Sequence, residues 1–310
     1  MNKRKLFAKK IEDELDFDFH ADIEKIETIE DFELRLLNPF EQGKQIYYRG
    51  ERKNSIARPL LPTIYREREF LFNSNKTVAL VDNQALYNYY QRQTSYFELF
   101  EKIIGVVDKN KMYSFLAFSQ HYFGISPLLD FSKSLYVALS FALKDRKKYD
   151  NDILIYTLEI KDKEDYTDSI EVADKWIENY SVLVFRDLTK RELESPLDSL
   201  SDYRMIADKF RGHNFLDMNT PHAKLIDVPA NDLIRYQQGV FLLLDDFSLM
   251  GKSYLTKKIR DDFKIKKWLI NKDICPELLD MLLSSHPYYA YKYIMDLSGV
   301  VSQIRKNSNL

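Results

Sequence analysis

The sequence contains very little cysteine and glycine. Cys275 is the single cysteine in 310 residues, which excludes a disulfide framework and a zinc site built from several cysteines, and it fits a reducing compartment. The chain has 8 glycines and shows no Gly/Ser-rich linker, no internal repeat and no low-complexity tract. These absences favour one continuous body over a string of linked modules.

The sequence also lacks a strong net charge and a long apolar run. The formal net charge of −2 argues against a general electrostatic grip on nucleic acid, which needs a clustered basic surface, but it leaves a local basic groove open. No run approaches the roughly 18 apolar residues of a membrane span. The basic stretch 1–7 lacks the apolar core of a signal peptide. We therefore expect a cytoplasmic protein with no membrane partner.

The residues that are present are those of an ordinary globular protein with many aromatic side chains. Hydrophobic residues make up 45% and charged residues 30% of the chain, which is typical of such proteins. A length of 310 residues indicates one large domain, or one domain with a small appendage. The 21 Tyr and 20 Phe residues indicate aromatic core packing, with a stacking site as the alternative.

Hydrophobic periodicity predicts an α+β fold with a single mixed sheet of short strands flanked by helices. The best strand candidates are apolar or alternating runs at 153–160, 224–228, 239–244 and 263–270. Helical spacing is found at 63–72, 83–108, 112–122 and 135–142. We expect a charged N-terminal arm at 1–27, a main domain at 28–310 and a helical insertion over the sheet at 161–212.

Local capping signals predict where two of the helices begin. Thr28, followed three residues later by Asp31, imitates a capping box. Asn231 is expected to cap a short helix that runs to Gln237.

The stretch 118–145 organises the rest of the chain, because it reads as helix, turn, strand, cap and helix with no spare residue. Asp130 follows an apolar run, at the expected junction of a strand and a helix. Ser132 is the predicted N-cap of that helix. Leu135, Leu139 and Ala142 then follow at the spacing of one packed helix face.

Several motifs together resemble those of the FRG domain family. The central signature of that family is a QHYGLPTRLLDWT-type run, and two further elements flank it. The matching segments here are Tyr48-Arg49-Gly50, Gln120-His121-Tyr122, Leu128-Leu129-Asp130-Phe131-Ser132, Gln237-Gln238-Gly239-Val240-Phe241 and Asp296-Leu297-Ser298-Gly299-Val300. The sequence departs from the family pattern at Ser126-Pro127, where the family has Thr-Arg, and at Phe131, where it has Trp.

The resemblance implies a divergent ADP-ribosyltransferase-like fold that consumes NAD as its substrate and needs no metal. It implies a catalytic set of Arg49, Asp130, Ser132, Gln238 and His121. The implied NAD-binding set is Arg49, Gly50, Tyr122, Phe131, Ser132 and Gln237. Glutamine stands where transferases have glutamate, and it can orient a ribose hydroxyl but carries no charge. Asp130 or Glu51 would then supply the negative charge.

The implied biological setting is bacterial conflict, as a toxin or a phage-defence effector. The partner would be a macromolecular target, protein or nucleic acid, together with an antitoxin or regulatory protein. Two other functions stay open: a catalytically silent nucleotide-binding or sensor module, and a metal-dependent nuclease that uses acidic pairs such as Asp245-Asp246.

Each candidate residue also has a purely structural interpretation. Arg49 can be a strut that pairs with Asp130, and Ser132 can be a plain helix cap. His121 can be a packed histidine, and the glutamines at 237 and 238 can simply tie down a turn.

Overall fold

The structure is a computed structural model. It describes residues 23–37, 45–53, 60, 62, 71–73, 76–78, 112–123, 126, 128–144, 151–179, 222–229, 231–245 and 262–291.

The strands are short and are distributed along the chain. They are β1 Ile23–Ile26, β2 Ile46–Glu51, β3 Leu71–Asn73, β4 Lys76–Val78, β5 Leu128–Ser132, β6 Ile153–Ile160, β7 Tyr166–Thr167, β8 His222–Ile226, β9 Gly239–Asp245 and β10 Phe263–Ile270. The helices are α1 Ile29–Phe32, which a π-helical turn continues over Glu33–Leu37, α2 Met112–Phe123, α3 Leu135–Ala142, α4 Ile170–Asn179, α5 Asp232–Tyr236 and α6 Cys275–Ser285. Single 3-10 turns cover Lys163–Asp165, Lys272–Ile274 and Pro287–Tyr289.

Eight of these strands form one mixed sheet in the order β1-β10-β6-β2-β5-β9-β8-β7, and β3 and β4 form a separate pair. The two outermost pairs, β1 with β10 and β7 with β8, are parallel. The inner pairs are antiparallel. The predicted α+β class with a single mixed main sheet is therefore confirmed for the described part of the chain.

The sheet consists of two well-paired halves that meet at a narrow seam between β2 and β5. Strand β2 pairs with β6 from Ile46 to Glu51, and β5 pairs with β9 along its whole length. Between β2 and β5 the register contains one residue pair, Tyr48 with Ser132. The two strands therefore diverge beyond this pair, at the level of Arg49 and Asp130.

Helices cover one face of the sheet as two separate cores, one over each half. The core over β6 and β10 includes Phe32, Leu139 and Leu278 from α1, α3 and α6. The core over β5 and β9 includes Tyr113 and Ala173 from α2 and α4. Because strand side chains alternate between faces, the opposite face carries a third core. The seam thus lies between the two helix-covered cores.

Helix α3 confirms the predicted packing face but corrects the predicted cap. Leu135, Leu139 and Ala142 are buried as the spacing indicated. The N-cap is Ser134, whose Oγ accepts a hydrogen bond from Val137 N at 3.4 Å. The prediction of Ser132 as the cap was wrong because β5 continues past Asp130 to pair with Gly239 of β9.

The other local predictions had mixed outcomes. Thr28 and Asn231 cap their helices through side-chain oxygens, as predicted. Residues 23–26, assigned to the N-terminal arm, instead form edge strand β1. Leu71 and Phe72, assigned to a helix, lie in a strand, because they pair with β4.

Parts of several predictions lie outside the described residues. These parts are the arm at 1–22, the helix at 83–108 and the insertion beyond α4. In the described residues, no helix is long and apolar enough to span a membrane.

Gly50 explains how α3 can lie directly on β2 beside the seam. A Cβ atom built at Gly50 would stand 2.7 Å from the backbone carbonyl carbon of Ala138 and 3.1 Å from Ala142 Cβ. Backbone cannot move aside as a flexible side chain can. A side chain at this position therefore forces the helix away from the sheet.

We expect Gly50→Ala to destabilise the fold by about 1–3 kcal/mol, the usual cost of overpacking a core. Gly239→Ala is the comparison variant, because its Cβ would meet a side-chain methyl carbon of Ile234 at 2.9 Å and backbone only at 3.3 Å. Urea unfolding of both variants measures the difference. An equal or smaller loss for Gly50→Ala would show that α3 does not rest on this glycine.

Candidate active site at the sheet seam

A cavity of about 210 Å³ opens at the seam, between the two helix-covered cores. Its walls come from β2, the last turn of α2, β5, α3 and the junction of α5 with β9. The lining residues with polar side-chain groups are Tyr48, Arg49, Gln120, His121, Asp130, Ser132 and Gln237. Ligand pockets usually measure about 300–1,000 Å³, so this cavity suits a ring or a sugar and not a whole dinucleotide.

The Arg49 side chain crosses the seam where the backbone pairing stops. Its Nη1 donates to the backbone carbonyl oxygen of Asp130 at 2.8 Å, in place of a ladder bond between the strands. The same Nη1 lies 3.7 Å from Asp130 Oδ2. Its Nε and Nη2 both donate to Glu51 Oε1, at 3.0 and 2.7 Å. The Arg49 side chain therefore links β2 to β5 and also forms part of the cavity wall.

The electrostatics around Arg49 are set by its two carboxylate neighbours. Burial alone would lower the pKa of the Arg49 guanidinium, but Glu51 and Asp130 outweigh burial and raise that pKa. In the charge states usual at pH 7, one guanidinium and two carboxylates leave one net negative charge. Of these two carboxylates, only that of Asp130 lines the cavity beside Arg49.

Asp130 presents the most accessible charge in the cavity. Its side chain is 49% exposed, whereas those of Arg49 and Glu51 are 15% and 16% exposed. Asp130 Oδ2 accepts a hydrogen bond from Gln120 Nε2 at 2.7 Å. Asp130 lies within β5 and not at its end as predicted, so its backbone is fixed by the pairing with β9.

The side-chain hydroxyl of Ser132 is engaged in hydrogen bonds within the protein. Its hydroxyl, in a residue that is 5% exposed, donates to the backbone oxygen of Gln237 at 2.7 Å and accepts from Ser134 N at 3.0 Å. The first bond joins β5 to the turn before β9, and the second joins it to the N-cap residue of α3. The predicted residues Ser132 and Gln237 are thus in direct contact, through a structural hydrogen bond.

The two predicted glutamines have different positions. Gln237 is 8% exposed and lines the cavity. Gln238 is exposed, has a positive φ of 49° and does not contribute to the lining of this cavity. Its Nε2 donates to Tyr289 Oη at 2.8 Å. Of the pair, Gln237 is placed to contact a bound molecule.

The remaining predicted binding residues also differ in their surroundings. Gly50 lines the cavity, where its missing side chain admits α3. Phe131 also lines the cavity, although it is 3% exposed and packs in the core on the opposite face of the sheet. The side chain of Tyr122 lies outside the described residues.

His121 lies in the last turn of α2 and lines the cavity. Burial lowers the pKa of its imidazole, and the Asp130 carboxylate offsets part of that effect. The ring is therefore neutral at pH 7, which is the state that can accept a proton.

Sequence reasoning did not assign a role to Gln120, although it stands in the same motif as His121. The sequence signal for a role of Gln120 was its position next to His121 in that motif. Glu51 was considered as a source of charge, but its two bonds to Arg49 depend on a side-chain arrangement that no local pattern encodes. Among the described residues, no group of three or more His, Cys, Asp or Glu side chains is arranged to hold a metal ion.

The fold and the cavity define an α+β protein whose candidate site spans the junction of two half-sheets. Residues 44–151 match the family model of the FRG domain. The chain therefore contains an FRG domain, and this range includes β2, α2, β5 and α3, which supply most of the cavity wall. The resemblance is confirmed for the motifs within this range, whereas the segments at 237–241 and 296–300 lie beyond it. No curated protein and no solved structure matches the chain.

We expect the stability to fall as the pH drops below about 6.5, because the unfolded imidazole of His121 binds a proton there while the folded one resists. The contribution of His121 to the free energy of unfolding is fully present above pH 6.5. It is lost as the pH falls through the pKa of His121 in the folded protein, which is lower than the unfolded value. Urea unfolding at pH 7.5 and 5.5 measures the effect. His121→Gln should reduce the difference between the two pH values, and an unchanged difference would contradict the assignment.

Proposed function

We propose that this chain is an NAD-consuming enzyme of the FRG family, an ADP-ribosyltransferase or an NAD glycohydrolase. In this proposal it acts in bacterial conflict, as a toxin or phage-defence effector that modifies a macromolecular target and is restrained by an antitoxin or regulatory partner. The observation that carries the proposal is the cavity at the seam, where Arg49, His121 and the half-exposed carboxylate of Asp130 line one space.

The reaction breaks the bond between the nicotinamide nitrogen and C1′ of the ribose. The bonding electron pair leaves with neutral nicotinamide, and positive charge develops on the ribose in an oxocarbenium-like state. A fixed negative charge stabilises this state. Asp130 is the accessible carboxylate of the cavity, so it would perform the electrostatic role that glutamate has in transferases.

A nucleophile completes the reaction at C1′. If water attacks, the products are ADP-ribose, nicotinamide and a proton, and if a group on the target attacks, the target carries ADP-ribose. The proton of the attacking group passes to a base, and neutral His121 is suited to accept it. Gln237 would orient a ribose hydroxyl, since an amide can donate and accept but adds no charge.

The size of the cavity supports its use for the nicotinamide and ribose end of NAD. The pyrophosphate and adenosine would lie outside it, because about 210 Å³ cannot enclose them. Arg49 would hold Asp130 in position and would not clamp phosphate, since two carboxylates already neutralise it. The chain order of arginine on β2, serine on β5 followed by a helix, and glutamine before β9 also supports an ADP-ribosyltransferase-like arrangement.

A second candidate function is a silent nucleotide-binding or sensor module. The internal bonds of Arg49 and Ser132 favour it, because both side chains are engaged within the protein. Such a module would bind a nucleotide without releasing nicotinamide.

We expect Asp130→Asn to slow nicotinamide release by about 100-fold, the usual scale for removing one electrostatic stabiliser. The substitution preserves the side-chain size and the backbone carbonyl that Arg49 contacts. Labelled NAD, with and without cell lysate, measures released nicotinamide and modified macromolecule. Asp232→Asn, at a carboxylate with an 80% exposed side chain, is the matched control.

The same assay separates the alternatives. NAD binding without nicotinamide release would support the silent module, and magnesium-dependent cleavage of nucleic acid without NAD would support a nuclease. Full turnover by Asp130→Asn would remove this carboxylate from the chemistry.

A further inference from the structure

A second cavity, of about 420 Å³, lies beside the seam cavity on the helix-covered face of the sheet. Its walls come from β1, β2, β6, β10 and the π-helical turn that follows α1. Tyr48 lines both cavities. The volume falls within the usual range for ligand pockets, so this cavity has room for a part of a ligand that the seam cavity cannot enclose.

A row of directly opposed residues connects the two cavities across four adjacent strands. Tyr48 of β2 stands opposite Ser132 of β5 on one side and opposite Thr157 of β6 on the other. Thr157 in turn stands opposite Lys266 of β10. Such residues share one face of a sheet, and three strand spacings separate Ser132 from Lys266 by roughly 14 Å. An extended ligand that starts at the seam and crosses Tyr48 therefore reaches β10 without leaving this face.

Two lysines of β10 present accessible cations to the second cavity. Lys264 and Lys266 are two residues apart, so they share this face, and their side chains are 44% and 45% exposed. Lys264 Nζ lies 3.3 Å from Glu159 Oε2. Lys266 Nζ lies 3.7 Å from Glu24 Oε1, which exceeds hydrogen-bond distance. An ammonium group carries three donors, so Lys266 keeps the capacity to bind a phosphate oxygen, and Lys264 is close enough to reach the same diphosphate.

The rest of the second cavity suits a nucleoside. Leu34 is 54% exposed and offers apolar surface to a base. Glu24 and Glu159 line the same space, and carboxylates accept hydrogen bonds from ribose hydroxyls, as in dinucleotide-binding folds. Arg35 is engaged within the protein, because it pairs with Glu24 and Asp31, so it belongs to the wall. Cations, carboxylates and apolar surface together match a diphosphate, a ribose and a base.

We propose that the second cavity binds the adenosine diphosphate part of NAD, with Lys264 and Lys266 at the diphosphate and Tyr48 between it and the nicotinamide end. This inference rests on the proposed function, since that function places the nicotinamide and its ribose in the seam cavity. It gives the phosphate contacts, which Arg49 does not make, to two lysines outside the matched range 44–151.

The first test compares ADP with adenosine on the wild-type protein by isothermal titration calorimetry. The two ligands differ only in the diphosphate, and neither is turned over. We expect ADP to bind at least tenfold more tightly, the scale of one hydrogen bond to a charged group. Absence of ADP binding, or equal affinity for the two ligands, would overturn the inference.

The second test assigns that preference to the second cavity. Lys266→Gln should weaken ADP binding about tenfold and leave adenosine binding unchanged, because it removes the charge and keeps most of the side chain. Lys266→Arg should retain the preference for ADP. Lys272→Gln is the matched control, at an exposed lysine just beyond β10 that does not line this cavity. Equal effects of Lys266→Gln and Lys272→Gln would contradict the assignment.

An NAD cleavage assay on the same preparations separates failure of this inference from failure of the proposed function. Cleavage of NAD by a wild type whose ADP affinity does not depend on Lys266 would overturn the role of the second cavity alone. Lys266-dependent binding of ADP without cleavage of NAD would support the second cavity as a nucleotide site and contradict the proposed enzyme.

Discussion

The Arg49 guanidinium, placed across the seam between β2 and β5, is the contact on which the rest of the structure depends. The backbone of these two strands pairs at Tyr48 and Ser132 and then separates. Arg49 spans the separation by bonding to the Asp130 backbone on one side and to Glu51 on its own strand. One side chain therefore joins the two halves of the sheet and forms part of the cavity between them.

This arrangement sets both the shape and the charge of the candidate site. The diverging strands create the cavity, and α3 closes one side of it because Gly50 lets the helix approach. Asp130 presents a half-exposed carboxylate in the cavity, and Glu51 and the Asp130 backbone engage the donors of Arg49. In the proposed function, this carboxylate faces the developing oxocarbenium ion, and Arg49 does not bind the pyrophosphate.

Features encoded by nearby residues were predictable from the sequence, whereas those that depend on register were not. Alternation identified the strand at 153–160, and the Thr28 and Asn231 caps follow from residue type and spacing. The cap at Ser134 was missed because only the pairing of β5 with β9 shows how far the strand extends. The motifs pointed to Arg49, His121, Asp130 and Gln237, which do line one cavity. The internal bonds of Ser132 and the separate position of Gln238 required the tertiary structure.

The most direct measurement of the central claim is hydrogen exchange in Arg49→Leu, combined with its free energy of unfolding. Removing one partner from a largely buried ion group should cost about 3–5 kcal/mol. Amides of β2 and β5 should then exchange faster than those of the β6–β10 pair, which does not depend on the seam. Arg35→Leu, at an ion pair on the sheet edge, is the control. A small loss of stability, or exchange that rises equally in every strand, would contradict the account.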